Sequence, residues 1–182
     1  MNQIKKYLIF SQLVFFIDII LLIIVRPQGL IVNKGISYYG THLNTLPLYV
    51  ISLAGSTLIG FKIATKFFTT DQYLLIKYLL ISLFPLTLAL IIFPYNVNAI
   101  YNIIHESLGT FIFLFQAIIS LLILINIRRD ILNYSLFIIQ IIAGLISGYY
   151  LFPSQGFLIQ GQLLFQLAFG LILIKNSTYF IE

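Results

Sequence analysis

The chain has 182 residues, 60% of them hydrophobic and only 8% charged, against roughly 25% charged in a water-soluble domain. With so little polar surface to cover a water-facing globule, most of the chain must be surrounded by lipid. The net charge of +5 comes from Lys and Arg scattered in short clusters between apolar runs, which suits topology signals and argues against a nucleic-acid-binding face. The absence of cysteine removes disulfides, thiolate catalysis and Cys-ligated metal.

A helix needs about 20 mostly apolar residues to cross a bilayer core of about 30 Å, and six segments qualify. The first runs from Tyr7 to Val25 behind Lys5 and Lys6. It is longer than a signal-peptide core, contains Asp18, and is followed by Arg26-Pro27-Gln28-Gly29 rather than a small-residue cleavage site, so it reads as a retained helix. The second is Leu46–Ala64, opened by Asn44, Thr45 and Pro47; proline suits a first turn, where its missing N–H is no loss. Thr69, Thr70 and Asp71 separate it from the third, Tyr73–Phe93, in which Pro85 predicts a kink. Pro94, Asn96 and Asn98 follow. The fourth is Leu108–Ile125, and Arg128, Arg129 and Asp130 form a tight turn into the fifth, Ile131–Phe152. Pro153-Ser154-Gln155-Gly156 leads to the sixth, Phe157–Ile174. The runs are continuous rather than alternating, which excludes barrel strands. The expectation is an all-α integral membrane bundle of six transmembrane helices forming one domain over residues 1–182.

Orientation follows from the basic residues. With the N-terminus inside, Lys5, Lys6, Lys62, Lys66, Lys77, Arg128, Arg129 and Lys175 fall on the inner side, and only Arg26 and Lys34 on the outer. Both termini are therefore expected in the cytoplasm of a multi-pass cell-membrane protein.

In lipid, helices associate through close packing of small residues. Ser52, Ser56, Gly60 and Ala64 make one such stripe on the second helix, and Gly144 and Gly148 another on the fifth. Each fits packing within the chain or a homo-oligomer contact.

Polar residues at membrane depth are costly and cluster at functional sites. Asp18 lies eight residues from Arg26, about 12 Å below the outer end. Gln116, Gln140 and Gln166 reach similar depth. They form either a register-fixing network or a polar cavity or path. At the outer surface, Tyr38, Tyr39 and His42 precede the second helix, while His105 and Glu106 stand near the fourth, with Tyr149, Tyr150, Gln160 and Gln162 near the fifth and sixth. His42, His105 and Glu106 suit a proton-sensitive or head-group site, although adjacent helical residues point about 100° apart. Asp18, His42, His105, Glu106, Gln116, Gln140 and Gln166 are thus the candidate ligand-binding residues.

Two histidines cannot make a three-His metal site, and no H-E-x-x-H, G-x-S-x-G, Walker or Rossmann pattern occurs. No cofactor is implied, and the motifs point away from an enzyme. Membrane lipids are the expected partners.

An outer Ile36-Ser37-Tyr38-Tyr39-Gly40 before the second helix and Ile104-His105-Glu106-Ser107-Leu108-Gly109 at the fourth, in a six-helix frame, resemble a group of prokaryotic six-helix membrane proteins carrying a domain of unknown function. That group is similar in outline to the eukaryotic damage-regulated autophagy modulator (DRAM) and Frag-type membrane proteins. An acidic residue that the family carries after the Ile-Ser pair is replaced here by Tyr38. The resemblance implies a six-helix bundle without established enzymatic activity, and marks Ser37, Gly40 and His105 as positions to watch. The functions in view are binding of a lipid or small molecule in an outward-facing polar pocket, small-molecule or proton-coupled transport through Asp18 and the glutamines, a membrane scaffold, or lipid modification.

Overall fold

The computed structural model describes residues 3–31, 34–68, 73–127, 130–150 and 156–180. It is all-α, with no strand among the described residues. Six helices are long and apolar enough to cross a membrane: α1 Gln3–Val25, α2 Leu46–Phe67, α3 Leu74–Ile92, α4 Ala99–Asn126, α5 Ile131–Tyr149 and α6 Leu158–Asn176. A four-residue helix, Gln28–Ile31, and a 3-10 helix, Ile36–Thr41, lie between α1 and α2. Thr69, Thr70, Asp71, Arg128, Arg129, Pro153, Ser154 and Gln155, read above as connections, fall outside the described residues.

The largest departure from the sequence reading is α4, which begins at Ala99 rather than near Leu108. Apolar length alone misses its first turns because they carry Asn102, His105 and Glu106. Asn98 supplies the start: its side-chain oxygen accepts from the Tyr101 N–H at 2.9 Å, satisfying one of the four donors a helix leaves open. Asp130 does the same for α5 through the Asn133 N–H at 3.2 Å. Pro85 sits inside α3, where it withholds one backbone donor from the ladder.

α6 is the central helix. Half of its most apolar window is buried, against 22–28% for the other five. α5 packs most extensively on it, and the two backbones approach closely at Gly161, where an added Cβ would lie 2.5 Å from Ser147 Oγ and 2.9 Å from the Ala143 carbonyl. Further along this seam, Asn133 and Asn176 exchange amide hydrogen bonds. At its end Lys175 donates to Asp130, and that hydrogen bond, with the Asn133 N–H, holds the Asp130 carboxyl below the usual carboxylate range.

α1 buries Ile4, Leu8, Ser11, Phe15, Ile19 and Leu22, a three-and-four spacing that draws one stripe along a helix. Its contact with α2 is polar in both directions: Ser11 Oγ donates to the Ser56 carbonyl at 2.9 Å, and Ser52 Oγ donates to the Phe15 carbonyl at 3.2 Å. The Ser52 and Ser56 part of the small-residue stripe is therefore spent within the chain. Here α2 widens into a π-helical turn, Ile51–Gly55, which contains Ser52 and ends just before Ser56.

Two apolar clusters mark the ends of the bundle. Ile4, Ile63, Phe68, Tyr73 and Phe180 gather at the terminal end, where Phe68 and Phe180 stack with centroids 4.6 Å apart. Leu22, Ile36, Tyr39, Tyr49 and Ile159 gather at the other. There Thr45 Oγ1 donates to the Tyr39 carbonyl at 2.6 Å, tying the 3-10 helix to the start of α2.

Candidate functional site

The helices do not close on one another at the 3-10 end. A cavity of about 850 Å³ enters there and runs inward between α2, α3, α4, α5 and α6, within the size range of ligand sites. Its α5 wall is formed by Gly144, Ser147 and Gly148. Gly148 has nothing within 4 Å of where a Cβ would stand, whereas at Gly144 a Cβ would meet the Phe165 ring at 3.2 Å. The glycine pair leaves room for this space.

The floor is polar. Gln116 on α4 donates its amide to Gln166 on α6 at 3.0 Å, and Ser56 and Thr57 of α2 join them. Below lies a pocket of about 40 Å³, which shares these four residues and adds Ser11 and Gln12; it is roomy enough for a water molecule. Gln12 Oε1 is buried there without a hydrogen-bond partner.

The mouth is built by the 3-10 helix. Gly35 enters it at φ 73°, a left-handed conformation that favours glycine, and a Cβ there would lie 2.9 Å from the Gln162 carboxamide. That carboxamide accepts the Ile36 N–H at 2.8 Å, pinning the 3-10 helix to α6. Across the mouth, His105 is 5% exposed and fully engaged. Its Nδ1 lies 2.7 Å from the Phe93 carbonyl, and its Nε2 lies 2.7 Å from Ser37 Oγ. A carbonyl only accepts, so Nδ1 carries the proton; in the neutral ring Nε2 then accepts from the Ser37 hydroxyl. Tyr49 lines the same cavity, and its ring packs on Gly40, where a Cβ would lie 2.6 Å from it.

Five of the seven residues singled out from the sequence line this one cavity: His42, His105, Glu106, Gln116 and Gln166. They do not form one cluster. His42 is turned to its own loop, with Nδ1 2.9 Å from Thr41 Oγ1 and 3.0 Å from the Tyr38 carbonyl. His105 and Glu106, although neighbours in sequence, both face the space.

Asp18 and Gln140 do not line it. Asp18 is one turn beyond Val14, which meets α2 at Gly55, so it falls on the flank of α1 that packs against α2; its Oδ2 is buried with no hydrogen-bond partner. Gln140 faces α6. Ser147 meets Gly161 and Asn133 meets Asn176, so antiparallel register sets Gln140 level with Ala168 and Phe169. It is 0% exposed, and both ends of its carboxamide lack partners. Depth placed these two residues with the other glutamines; azimuth separates them. The mid-membrane layer joining α1, α4, α5 and α6 therefore reduces to the Gln116–Gln166 pair with Gln12 below it.

Sequence reasoning passed over Gln12, Tyr49 and Thr57, and gave Ser37 no role. Gln12 had a readable signal, a carboxamide inside an apolar run immediately after Ser11. Tyr49 had none, because interfacial tyrosines are ordinary.

No family model, no curated protein and no solved structure matches the chain.

Proposed function

We propose that this protein resides in a cell membrane as one six-helix unit, with both termini on the cytoplasmic side, and holds a membrane lipid or similar amphiphile in the cavity that opens at the opposite face. The observation that carries this reading is the cavity of about 850 Å³, with Ser37, His105 and Gln162 at its mouth, apolar walls and an amide pair at its floor. The orientation rests on the cluster of Lys5, Lys6, Lys62, Lys66, Lys77 and Lys175 toward the terminal end, against Arg26 and Lys34 at the other.

Filling the space tests it. Gly148→Leu enters the cavity without meeting a neighbour at its Cβ, so the variant should purify normally yet lose the lipid that the native chain retains through extraction, as read by native mass spectrometry. Equal lipid retention by both would remove this reading. If the variant instead changes oligomeric state with lipid intact, the Gly144–Gly148 face serves self-association.

A carrier is a second reading. It is favoured by the small pocket that continues the cavity past Gln116 and Gln166 toward Phe68 and Phe180. Flux that persists in a Gln116→Leu variant would count against it.

A further inference from the structure

We propose that Ser37 is an acyl-accepting nucleophile, with His105 as its general base and the Phe93 carbonyl as the group that orients the imidazole, acting on the carboxylic ester of an amphiphile held in the cavity. The inference rests on the cavity reading above and adds chemistry to it.

The geometry is that of an activated hydroxyl. A serine is a weak nucleophile until a base stands within hydrogen-bonding distance and a third group fixes that base. Here Ser37 Oγ to His105 Nε2 is 2.7 Å, and His105 Nδ1 to the Phe93 carbonyl is 2.7 Å. The carbonyl fixes the tautomer that leaves Nε2 free to take a proton. Each partner is held by a different part of the fold. Ser37 is carried on the 3-10 helix pinned by Gln162, His105 lies in the second turn of α4, and Phe93 caps the end of α3. A hydrogen bond meant only to tie the 3-10 helix to α4 would not need to open onto a large empty space, yet Ser37 and His105 both line it.

The location selects the substrate. Ser37 sits at the end of the membrane-spanning helices, at the depth where acyl esters of membrane lipids meet water, while Leu53, Ile112 and Phe113 offer an apolar wall for the chain below. Ser37 Oγ attacks the ester carbonyl carbon, and its proton passes to His105 Nε2. Tyr49, which lines the same cavity as Ser37, supplies its hydroxyl as the donor to the oxyanion. Collapse breaks the bond to the alcohol oxygen, which takes the proton back from His105 and leaves. Ser37 is then acylated, and a water molecule, deprotonated by His105, releases the carboxylic acid and restores the hydroxyl. No oxidant or metal is needed.

The test uses the full chain in lipid nanodiscs, treated with an alkyl fluorophosphonate and mapped by peptide mass spectrometry. Ser37 should carry the adduct, and His105→Gln should slow labelling by about 100-fold or more, the usual contribution of a general base. Glutamine can still donate to the Phe93 carbonyl but cannot take a proton. A second variant guards against misfolding. Because the chain has no cysteine, Ser37→Cys introduces a single thiol, whose reaction with iodoacetamide should be about tenfold faster with His105 than in the Ser37→Cys/His105→Gln double variant, since a paired imidazole raises the thiolate fraction. An unlabelled Ser37 in protein that still retains lipid overturns the nucleophile and leaves the cavity reading standing. Equal thiol rates in the two backgrounds overturn it as well. Loss of both label and lipid retention brings down both readings.

Discussion

Asn133 and Asn176 clasp each other side by side, each amide nitrogen donating to the other's oxygen at 3.0 Å, with both residues about 1% exposed. Asn176 donates in addition to the Ile172 carbonyl at 2.7 Å. Removing one partner strands buried donors and acceptors, at a cost of about 1–3 kcal/mol. Asn133→Ala and Asn176→Ala should each lower the thermal midpoint in detergent, and the double variant should cost less than the sum of the two. Additive losses would mean that the pair is not coupled.

Asp130 and Lys175 set an acid limit. The folded carboxyl titrates below its ordinary value because Lys175 and the Asn133 N–H donate to it. A depressed carboxyl contributes stability that is present above the unfolded value of about 3.9 and is lost as pH falls through the lower folded value. The contribution is small, since both side chains remain about a third exposed. Asp130→Asn keeps an acceptor for the α5 cap, so its thermal deficit should be constant from neutral pH to about 5, vanish in acid, and shrink in high salt. A deficit independent of pH would assign the effect to capping alone.

Asp18 offers the opposite case. Its Oδ2 is buried between α1 and α2 without a hydrogen-bond partner, a burial that costs about 1–3 kcal/mol. Asp18→Leu should therefore raise the thermal midpoint while leaving lipid retention unchanged, because Asp18 does not line the cavity. A fall in stability would reveal an interaction that this geometry does not contain.

Two glycines on neighbouring faces should behave differently. Gly161→Ala places a methyl 2.5 Å from Ser147 Oγ and 2.9 Å from the Ala143 carbonyl, forcing α5 from α6 at a cost of about 1–3 kcal/mol. Gly148→Ala meets nothing within 4 Å and should leave the stability within about 0.5 kcal/mol of the native chain's, apart from helix propensity. Comparing the two in one melting experiment separates backbone packing from cavity volume.

The six spans were legible because a bilayer demands apolar length, and length is written directly in sequence. The start of α4 was not, because Asn98 and the turns after it lie outside that demand and obey capping chemistry instead. Depth along a helix could be counted for Asp18, Gln116, Gln140 and Gln166, but which way each faced could not. Only Gln116 and Gln166 face each other. Ser37 and His105 are 68 positions apart and meet through the placement of the 3-10 helix, which no local pattern encodes. The motifs at 36–40 and 104–109 drew attention to both residues, but nothing in the motifs themselves gives a reason for either.

The π-helical turn at Ile51–Gly55 stores one extra residue in α2. An α-helix advances 3.6 residues per turn, whereas a π turn closes on the fifth residue, so a four-residue step through it stays nearly in phase. Tyr49, Leu53 and Thr57, four apart, can therefore all meet the cavity, while Ser52 and Ser56 hold α1. Deleting one residue between 51 and 55 would let ordinary winding span the same two turns: the step from Tyr49 to Thr57 falls from eight residues to seven, about 700° at 100° per residue, so the two halves of α2 stay in phase to within about 20°. A second deletion would have no wide turn left to absorb it and would rotate the halves by about 100° relative to each other, so that the serine clasp and the cavity wall would compete for the same arc. The wide turn is a reserve of one residue, and the length of α2 can shrink by that one and no more.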